Sequence, residues 1–305
     1  MKKYLKYLFI IIGIIFIAIV VLGLFQQKNV AKNLMGQSED AIQSKTITTT
    51  SVDFNGYKIN FTYKTYENGT VNYGSEISIE QNGNQVWEKI YDEDFSGFYV
   101  NEVGDSIKNA DDLKNKAIKD INNDGIPELV IKGYSGGAHC CSHLYIVELN
   151  NPISILLDLE TGDWGTQFED LNNDGVYEIS TKEDVFTYWH TSFAASPAPD
   201  VVLSFRDGKY KADPKYMRKS APTDAEIKTQ AGSVESWSSA QGPEVAWEYA
   251  IKLIYSGNIA SARKYVDLCW QNNAEFESKN KFWEDLFDTI KNSPYYDDLS
   301  PYLGV

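Results

Sequence analysis

The chain has 305 residues, with 43 acidic side chains, 28 Lys or Arg and 3 His, so its formal net charge is -15 at pH 7. This charge argues against nucleic acid as a partner, because a binding face has to neutralise phosphates with Lys and Arg. Aromatic residues make up 13% of the chain, which is enough for a hydrophobic core and argues against disorder.

The N-terminal segment predicts a membrane anchor. Three lysines precede an uncharged run over Tyr7–Phe25, which is about 19 residues, the length of helix that crosses a bilayer. The run ends without a small-x-small cleavage site, which favours an uncleaved signal anchor over a cleaved signal peptide or a buried core helix. The lysines place the N-terminus in the cytoplasm. We therefore expect a transmembrane signal anchor over residues 1–26, with the bulk of the chain outside the cytoplasmic membrane.

Polar, short side chains predict a linker over residues 27–50, after which the hydrophobic period changes to two. The dipeptides Asn55-Gly56 and Asn82-Gly83 are typical of two-residue hairpin turns. Alternating or apolar runs predict strands at 57–63, 76–80, 86–91, 128–132, 143–149, 153–157, 201–206 and 210–212. These runs indicate a mainly β domain over residues 51–218.

A nine-residue pattern, Asp-x-Asn-x-Asp-Gly-x-x-Glu, begins at Asp120 and again at Asp170. A hard divalent cation binds several oxygens, and such a loop offers carboxylate and amide oxygens at positions one, three, five and nine and a backbone carbonyl at seven. Gly at position six permits a sharp turn. The expected ligands are Asp120, Asn122, Asp124, Ile126 and Glu128 in the first loop and Asp170, Asn172, Asp174, Val176 and Glu178 in the second. Ca²⁺ is favoured over Mg²⁺, which keeps more of its water.

The loops are not EF-hands, because position twelve lacks a bidentate Glu, and a simple hairpin turn would not require two copies with identical polar positions. On these residues the chain resembles the FG-GAP or VCBS-type repeat proteins, whose integrin-like repeats carry a calcium loop between neighbouring strands of a β-propeller blade. The likeness covers roughly residues 118–211; the Phe-Gly and Gly-Ala-Pro signatures are missing, and Glu stands at position nine where Asp is more usual. The resemblance implies a small or incomplete β-propeller-like domain or a sandwich with calcium-loop repeats, since the β-rich part has room for about four blades.

The segment between the loops contains His139, Cys140, Cys141 and His143 and is similar to a Gly-Gly-Ala-His-Cys-Cys segment of bacterial membrane-anchored proteins of this repeat type. Three interpretations remain open. A nucleophile elbow at Ser135 is disfavoured because a strand follows it instead of a helix. The His and Cys side chains form either a second metal site, for zinc or copper, or a structural pair in which the adjacent cysteines are joined by a disulfide or packed as thiols. The structural pair is favoured.

The C-terminal residues 219–305 change to a helical period and predict a helical hairpin module. Apolar residues at three-four spacing predict helices over about 243–255, 259–270 and 274–291, with Ser256-Gly257 ending the first. A single such unit cannot bury both of its faces, so we expect it to pack on the β domain.

Taken together, these features predict a membrane-anchored, extracytoplasmic calcium-binding protein of the cell envelope that is not an enzyme and that binds a protein or glycan. The alternative is a cell-envelope hydrolase or other metal-dependent enzyme that uses the His139–His143 segment.

Overall fold

The computed structural model describes residues 45–66, 71–90, 97–99, 109–135, 141–234, 244–270 and 278–304. The chain divides into two compact units. One consists of Met1–Ile47 and Lys64–Val71, and the other of Thr48–Tyr63 and Asn72–Val305. The cores, loops and cleft described below belong to the second unit. The predicted anchor over 1–26 and most of the predicted linker lie outside the described residues. Within the described ranges, no helix has the length and apolar character needed to span a membrane.

The strands are short and follow one another along the chain. Their bounds are β1 Lys45–Phe54, β2 Tyr57–Tyr66, β3 Val71–Gln81, β4 Asn84–Ile90, β5 Gly97–Tyr99, β6 Ile118–Lys119, β7 Glu128–Tyr134, β8 Ser142–Glu148, β9 Ser154–Gly162, β10 Gln167–Glu169, β11 Glu178–Lys182, β12 Asp200–Arg206 and β13 Lys209–Ala212. The first strand begins at Lys45, inside the segment expected to be linker.

These strands form two sheets in the described part of the chain. The first has the order β1-β2-β3-β5-β7-β8-β9, with β4 paired to β3 and β6 paired to β7, and the second has the order β10-β11-β12-β13. Both sheets have two free ends, so neither closes into a barrel or a propeller within the described residues. The prediction of a mainly β protein with a C-terminal helical part is confirmed.

The two Asn-Gly signals form hairpin turns as expected. Asn55 and Gly56 have φ values of 48° and 81°, and Asn82 and Gly83 have 53° and 78°. Positive φ at both central residues matches the twist of the flanking strands, and Asn and Gly tolerate it best. The turns join β1 to β2 and β3 to β4.

The two predicted loops occupy equivalent places in two four-stranded antiparallel units, β6–β9 and β10–β13. In the first unit Lys119 pairs with Glu128 across the loop, and in the second Glu169 pairs with Glu178, fifty residues later. In both units the second strand pairs with the third, and the third with the fourth. We call these units the first and second repeat.

Strands β7 and β8 are buried on both faces. Leu129 and Tyr145 pack in a core with side chains of β1–β3 and of a helical segment formed by α1, Ala110–Asp112, and the π-helical turn Leu113–Ala117. Val130 and Ile146 point into a second, larger core that also contains the second sheet and the C-terminal helices. The loop at the start of β7 is therefore attached to the most enclosed strands of the protein.

The helices that follow the sheets are α2 Pro214–Met217, α3 Asp224–Ser233, α4 Glu244–Tyr255, α5 Ile259–Cys269, α6 Lys279–Ile290 and α7 Tyr296–Leu303. Helices α4, α5 and α6 correspond to the three predicted from periodicity. Helix α3 was not predicted, although Thr223 and Glu226 form a capping box at its N-terminus, a signal readable in the sequence. The larger core joins these helices to the sheets, which confirms that the helical part packs on the β part.

A buried carboxyl group connects the second repeat to the helices. Glu183 is fully buried, and its Oε2 accepts hydrogen bonds from the hydroxyls of Tyr255 at 2.9 Å and Ser293 at 2.6 Å. The backbone N–H of Val185 donates to its Oε1 at 3.1 Å. Burial raises the pKa of Glu183, and the three donors oppose that shift. The carboxyl group needs these donors because an unpaired polar group in a core is costly.

Tyr255→Phe should lower the stability of the folded protein. The change removes one donor from a buried carboxyl group, which costs about 1–3 kcal/mol, or a melting temperature several degrees lower. Tyr249→Phe is the matched control, because Tyr249 lies on the same helix, is half-buried and packs through its ring on Tyr265. Thermal unfolding checks the prediction; equal losses in the two variants would contradict it.

Candidate metal centre

The two loops have the same backbone conformation. Asn123 and Asn173 have φ values of 58° and 60°, and Gly125 and Gly175 have 88° and 87°. An L-residue with a β-carbon resists the conformation adopted by the glycines, which explains Gly at position six. The sequence repeat is therefore a structural repeat.

The polar side chains of the first loop fold back onto its backbone. Asp120 Oδ2 accepts from the N–H of Gly125 at 3.0 Å, and Asp124 Oδ1 accepts from that of Ile126 at 2.8 Å. Glu128 Oε2 accepts from the N–H of Ile121 at 2.8 Å. These backbone bonds use one oxygen of each carboxylate; of the second oxygens, Asp124 Oδ2 also accepts from Asn122 Nδ2 at 3.1 Å.

The second loop repeats these bonds and adds one. Asp170 Oδ2 accepts from Gly175 N–H at 3.0 Å and Asp174 Oδ1 from Val176 N–H at 2.9 Å. Glu178 Oε2 accepts from the N–H of Leu171 at 2.8 Å. Here Asp170 Oδ1 also accepts from the N–H of Asp174, at 3.1 Å, so both oxygens of Asp170 are bonded to the loop backbone.

In each loop the Asn side chain at position three accepts a hydrogen bond from the backbone N–H at position five. Asn122 Oδ1 accepts from Asp124 N–H at 3.1 Å, and Asn172 Oδ1 accepts from Asp174 N–H at 2.9 Å. Asn172 also donates from Nδ2 to the hydroxyl of Tyr216 on α2, at 2.8 Å. These amide oxygens are thus used for loop structure, and carboxylates remain the main candidate ligands.

The first loop brings its three carboxylates together. Ligand oxygens of Asp120, Asp124 and Glu128 all lie within 4.8 Å of one another, and no other group of three His, Cys, Asp or Glu ligands in the described ranges meets this condition. The three carboxylates of the second loop do not converge in this way. The structure therefore distinguishes two loops that look equivalent in sequence.

Glu128 is the most constrained of these groups. Its side chain is fully buried, and its Oε1 has no hydrogen-bond partner. Burial, followed by repulsion from Asp124, Asp120 and Glu148, raises the pKa of Glu128 to about 8, and only the bond from Ile121 opposes this. A bound cation would both pair with Oε1 and remove the repulsion.

Glu148 is a fourth carboxyl group at the first loop, and sequence analysis missed it. It lies on β8 in register with Glu128, is buried, and accepts from Asn122 Nδ2 at 3.5 Å and from Asn150 Nδ2. Burial and then the charge of Asp124 raise its pKa. Only the pairing of β7 with β8 identifies Glu148, because twenty residues separate it from Glu128.

The second repeat has Ser204 in place of Glu148. Leu203 pairs with Ile179 in the antiparallel register of β11 and β12, so the next residue, Ser204, lies opposite Glu178. Its hydroxyl donates to Asp213 Oδ2 at 2.7 Å. The strand residue that faces the second loop therefore carries a hydroxyl and not a carboxyl group.

The two loops contact each other directly. Asn123 Nδ2 donates to the carbonyl oxygen of Asp174 at 3.3 Å, and the N–H of Tyr177 donates to the carbonyl oxygen of Ile121 at 2.9 Å. A β-carbon at Gly175 would lie 2.6 Å from Asn123 Nδ2, so the approach requires glycine there. The two loops are therefore in direct hydrogen-bonded contact.

The segment over 136–140, with His139 and Cys140, lies outside the described residues. Cys141 is disulfide-bonded, and Cys269 is free and buried. His143 lies 3.3 Å from Glu160 through its Nε2 and stacks on Tyr145, and burial lowers its pKa. A disulfide sulfur is not a thiolate ligand, so Cys141 offers no support for a second metal site.

No family model matches the chain, and no solved structure matches it. A similar protein from Synechocystis sp., named "Probable thylakoid lumen protein", is 32% identical over 99 residues. The matched part is 30% of this chain and 28% of the relative, so the chain spans less than a third of that relative's length.

Without a cation, the stability of the protein should fall as the pH rises. The folded state holds a proton on Glu128 up to about pH 8, whereas the unfolded chain releases it near the ordinary pKa of 4.5. The stabilisation that this proton gives to the folded state is therefore complete below pH 4.5. It is lost as the pH rises to about 8, and the free energy of unfolding falls by up to ~1.4 kcal/mol per pH unit in this range.

Urea unfolding of cation-stripped protein between pH 5 and pH 8 measures this effect. Glu128→Gln should flatten the pH dependence, and Glu169→Gln, a change at an exposed carboxylate on β10, should not. The prediction fails if Glu128→Gln and the unchanged protein lose stability equally over this range.

Proposed function

We propose that the chain is a calcium-binding β-repeat protein of the cell envelope, with the first loop as its main calcium site. The observation that carries the proposal is the buried, unpartnered Oε1 of Glu128 beside Asp120 and Asp124. A fully buried polar atom normally has a partner, and here the carboxyl groups of Asp120, Asp124 and Glu148 repel the charge of Glu128. A cation supplies the missing partner.

The chemistry of the cluster favours calcium among the common cations. The donor atoms are carboxylate oxygens, and among the described residues of the cluster there is no His or Cys, the ligands typical of zinc. Ca²⁺ accepts six to eight oxygens in flexible geometry, whereas Mg²⁺ requires an octahedral shell and keeps its waters. Asp120, Asp124, Glu128 and Glu148 supply up to four carboxylates, and the carbonyl of Ile126 and water complete the shell.

The repeat arrangement supports the resemblance to FG-GAP and VCBS-type proteins. Each repeat is a four-stranded antiparallel unit, with its loop between the first and second strands. The calcium loops of those proteins likewise lie between neighbouring strands of a blade. We infer that β6–β9 and β10–β13 are two blade-like units of an incomplete propeller-like domain.

We further propose that the domain lies outside the cytoplasmic membrane, tethered by the segment Tyr7–Phe25. The relative in Synechocystis sp. is named as a lumen protein, which supports an extracytoplasmic location. The disulfide at Cys141 supports the same location, because disulfides persist in oxidising compartments. Calcium at millimolar concentration is a property of such compartments, and modules that bind it at about 10⁻⁴–10⁻³ M are common there.

In this setting calcium has a structural role. It would neutralise the first loop, fix the end of β7 and hold the contact between the two repeats. The protein then presents a stable surface for a protein or glycan ligand.

Calcium should raise the melting temperature of the purified full-length protein. With a dissociation constant of about 10⁻⁴–10⁻³ M, 2 mM calcium stabilises the folded state by about 0.6–1.8 kcal/mol per occupied site, which is a few degrees. Asp124→Asn keeps an oxygen for the N–H of Ile126 but removes the charge, so it should abolish most of the rise. Asp174→Asn should remove less, because the second loop has no convergent cluster.

Differential scanning calorimetry in EGTA and in calcium checks this prediction. Asp53→Asn is the control, because Asp53 is an exposed residue of β1. Equal melting temperatures with and without calcium, or an unchanged rise in Asp124→Asn, would contradict the calcium site.

Protease treatment of bacterial spheroplasts tests the location. We expect externally added protease to degrade the C-terminal part of the protein while a cytoplasmic marker stays intact, since the positive residues before Tyr7–Phe25 remain inside. Full protection of the C-terminus in intact spheroplasts, with degradation after lysis, would show the opposite topology.

A further inference from the structure

A cleft of about 840 Å³ opens between the two repeats, and no part of the proposed calcium site requires it. Its walls come from β6–β9 on one side and from β10, β11 and the second loop on the other. The volume is within the range of small-molecule sites, which are usually about 300–1,000 Å³.

The charge of this cleft is opposite to that of the chain. Acidic residues outnumber basic ones by 43 to 28 in the sequence, but the 18 residues that line the cleft include four lysines and a single carboxylate, Asp200. The lysines are Lys116, Lys119, Lys132 and Lys182. A concave surface lined by one sign of charge concentrates ligands of the other sign. The cleft is therefore suited to an anion.

Three of the lysines are placed over aromatic rings in the cleft wall. Lys119 Nζ lies 5.9 Å from the ring centre of Tyr177, Lys132 Nζ lies 5.7 Å from that of Phe168, and Lys182 Nζ lies 5.7 Å from that of Trp164. All three rings are half-buried. Such cation–π contacts hold an ammonium group over an apolar surface.

The repeat symmetry explains part of this arrangement. Lys132 and Lys182 are fifty residues apart and occupy the equivalent strands β7 and β11. Lys132 is buried and donates to the carbonyl oxygen of Thr166 at 2.8 Å, which fixes it in the wall. Lys116 and Lys119 are exposed and Lys182 is half-buried, so a ligand can reach all three. Lys116 is paired with Asp112 at 3.1 Å, which leaves Lys119 and Lys182 as the main candidates for contact with an anion.

The remaining wall is rich in hydroxyl and amide groups. Ser142 and Ser180 are half-buried, and Gln167 is exposed. Neutral hydroxyl and amide groups match the hydroxyls of a sugar ring, because each can donate or accept a hydrogen bond. A nucleobase fits less well, because stacking on the rings would displace the lysines that already cover them.

From these features we propose that the cleft binds an anionic saccharide, one or more sugar units carrying a carboxylate or phosphate, with Lys119 and Lys182 contacting the anionic group. The proposal rests on the glycan-binding part of the proposed function, for which it names the ligand class and the site, and it does not depend on calcium binding.

Asp200 limits the affinity of the cleft. Its Oδ1 accepts from Lys182 Nζ at 3.0 Å, and its Oδ2 lies 3.5 Å from Lys219 Nζ. Together these two lysines outweigh the desolvation of the exposed Asp200 carboxylate and lower its pKa, so it is charged at neutral pH. Asp200 therefore competes with a ligand anion for Lys182 and repels that anion.

Isothermal titration calorimetry of the full-length protein in 1 mM calcium tests the proposal. The probes are trigalacturonate and glucose 6-phosphate, with maltotriose as the neutral analogue and inorganic phosphate and AMP as competing anions. At least one anionic sugar should bind more tightly than maltotriose, phosphate and AMP. Its affinity should fall as NaCl is raised.

The variants have opposite expected effects. Lys119→Gln and Lys182→Gln should each weaken binding about tenfold, because each removes a charge-assisted hydrogen bond. Asp200→Asn should tighten binding about threefold. Lys209→Gln, at an exposed lysine on β13 outside the cleft, should leave the affinity unchanged. Circular dichroism and thermal unfolding confirm that each variant is folded.

Several results would overturn the proposal: no binding of either anionic sugar, equal binding of maltotriose, tighter binding of phosphate or AMP, or equal effects of Lys119→Gln and Lys209→Gln. Calcium-dependent melting of the same samples is measured in parallel. If calcium stabilises the protein and no sugar binds, the cleft proposal fails alone; if sugar binds and calcium has no effect, the calcium proposal fails alone.

Discussion

A buried carboxylate oxygen without a hydrogen-bond partner is costly, and the first loop contains one, Oε1 of Glu128. The residue begins β7, a strand enclosed by two cores, and its own side chain is fully buried. Asp120, Asp124 and Glu148 add their charges to the same place. In the free protein a proton relieves the conflict, and we propose that a calcium ion relieves it outside the cell membrane.

This constraint extends from the first loop to the second. Two hydrogen bonds join the loops, from Asn123 to the carbonyl of Asp174 and from Tyr177 to that of Ile121. Ile121 and Tyr177 also line the cleft between the repeats. An ion that fixes the first loop would thus stiffen one wall of the cleft. The helical part contacts the second repeat through Glu183, which accepts hydrogen bonds from Tyr255 of α4 and from Ser293 in the turn between α6 and α7.

Features set by local sequence could be predicted. The loops repeat a short motif, the Asn-Gly turns need only two residues, and helices α4 to α6 follow from apolar spacing. Features set by strand register could not. Glu148 joins the first loop only because β8 pairs with β7, and Ser204 makes the second loop different in the same way. The cleft requires residues from both repeats, so no single segment indicates it. Helix α3 is different, since its Thr223 capping box was visible in the sequence and went unused.

The most direct test of the account is a crystal structure of the calcium-soaked protein with anomalous data at a wavelength where calcium scatters. We expect an anomalous peak at the first loop, with Glu128 Oε1, Asp120 and Asp124 about 2.3–2.6 Å from the ion. A weaker peak at the second loop is compatible with the account. A map at millimolar calcium with no peak near Glu128, and with Oε1 still unpartnered, would contradict it.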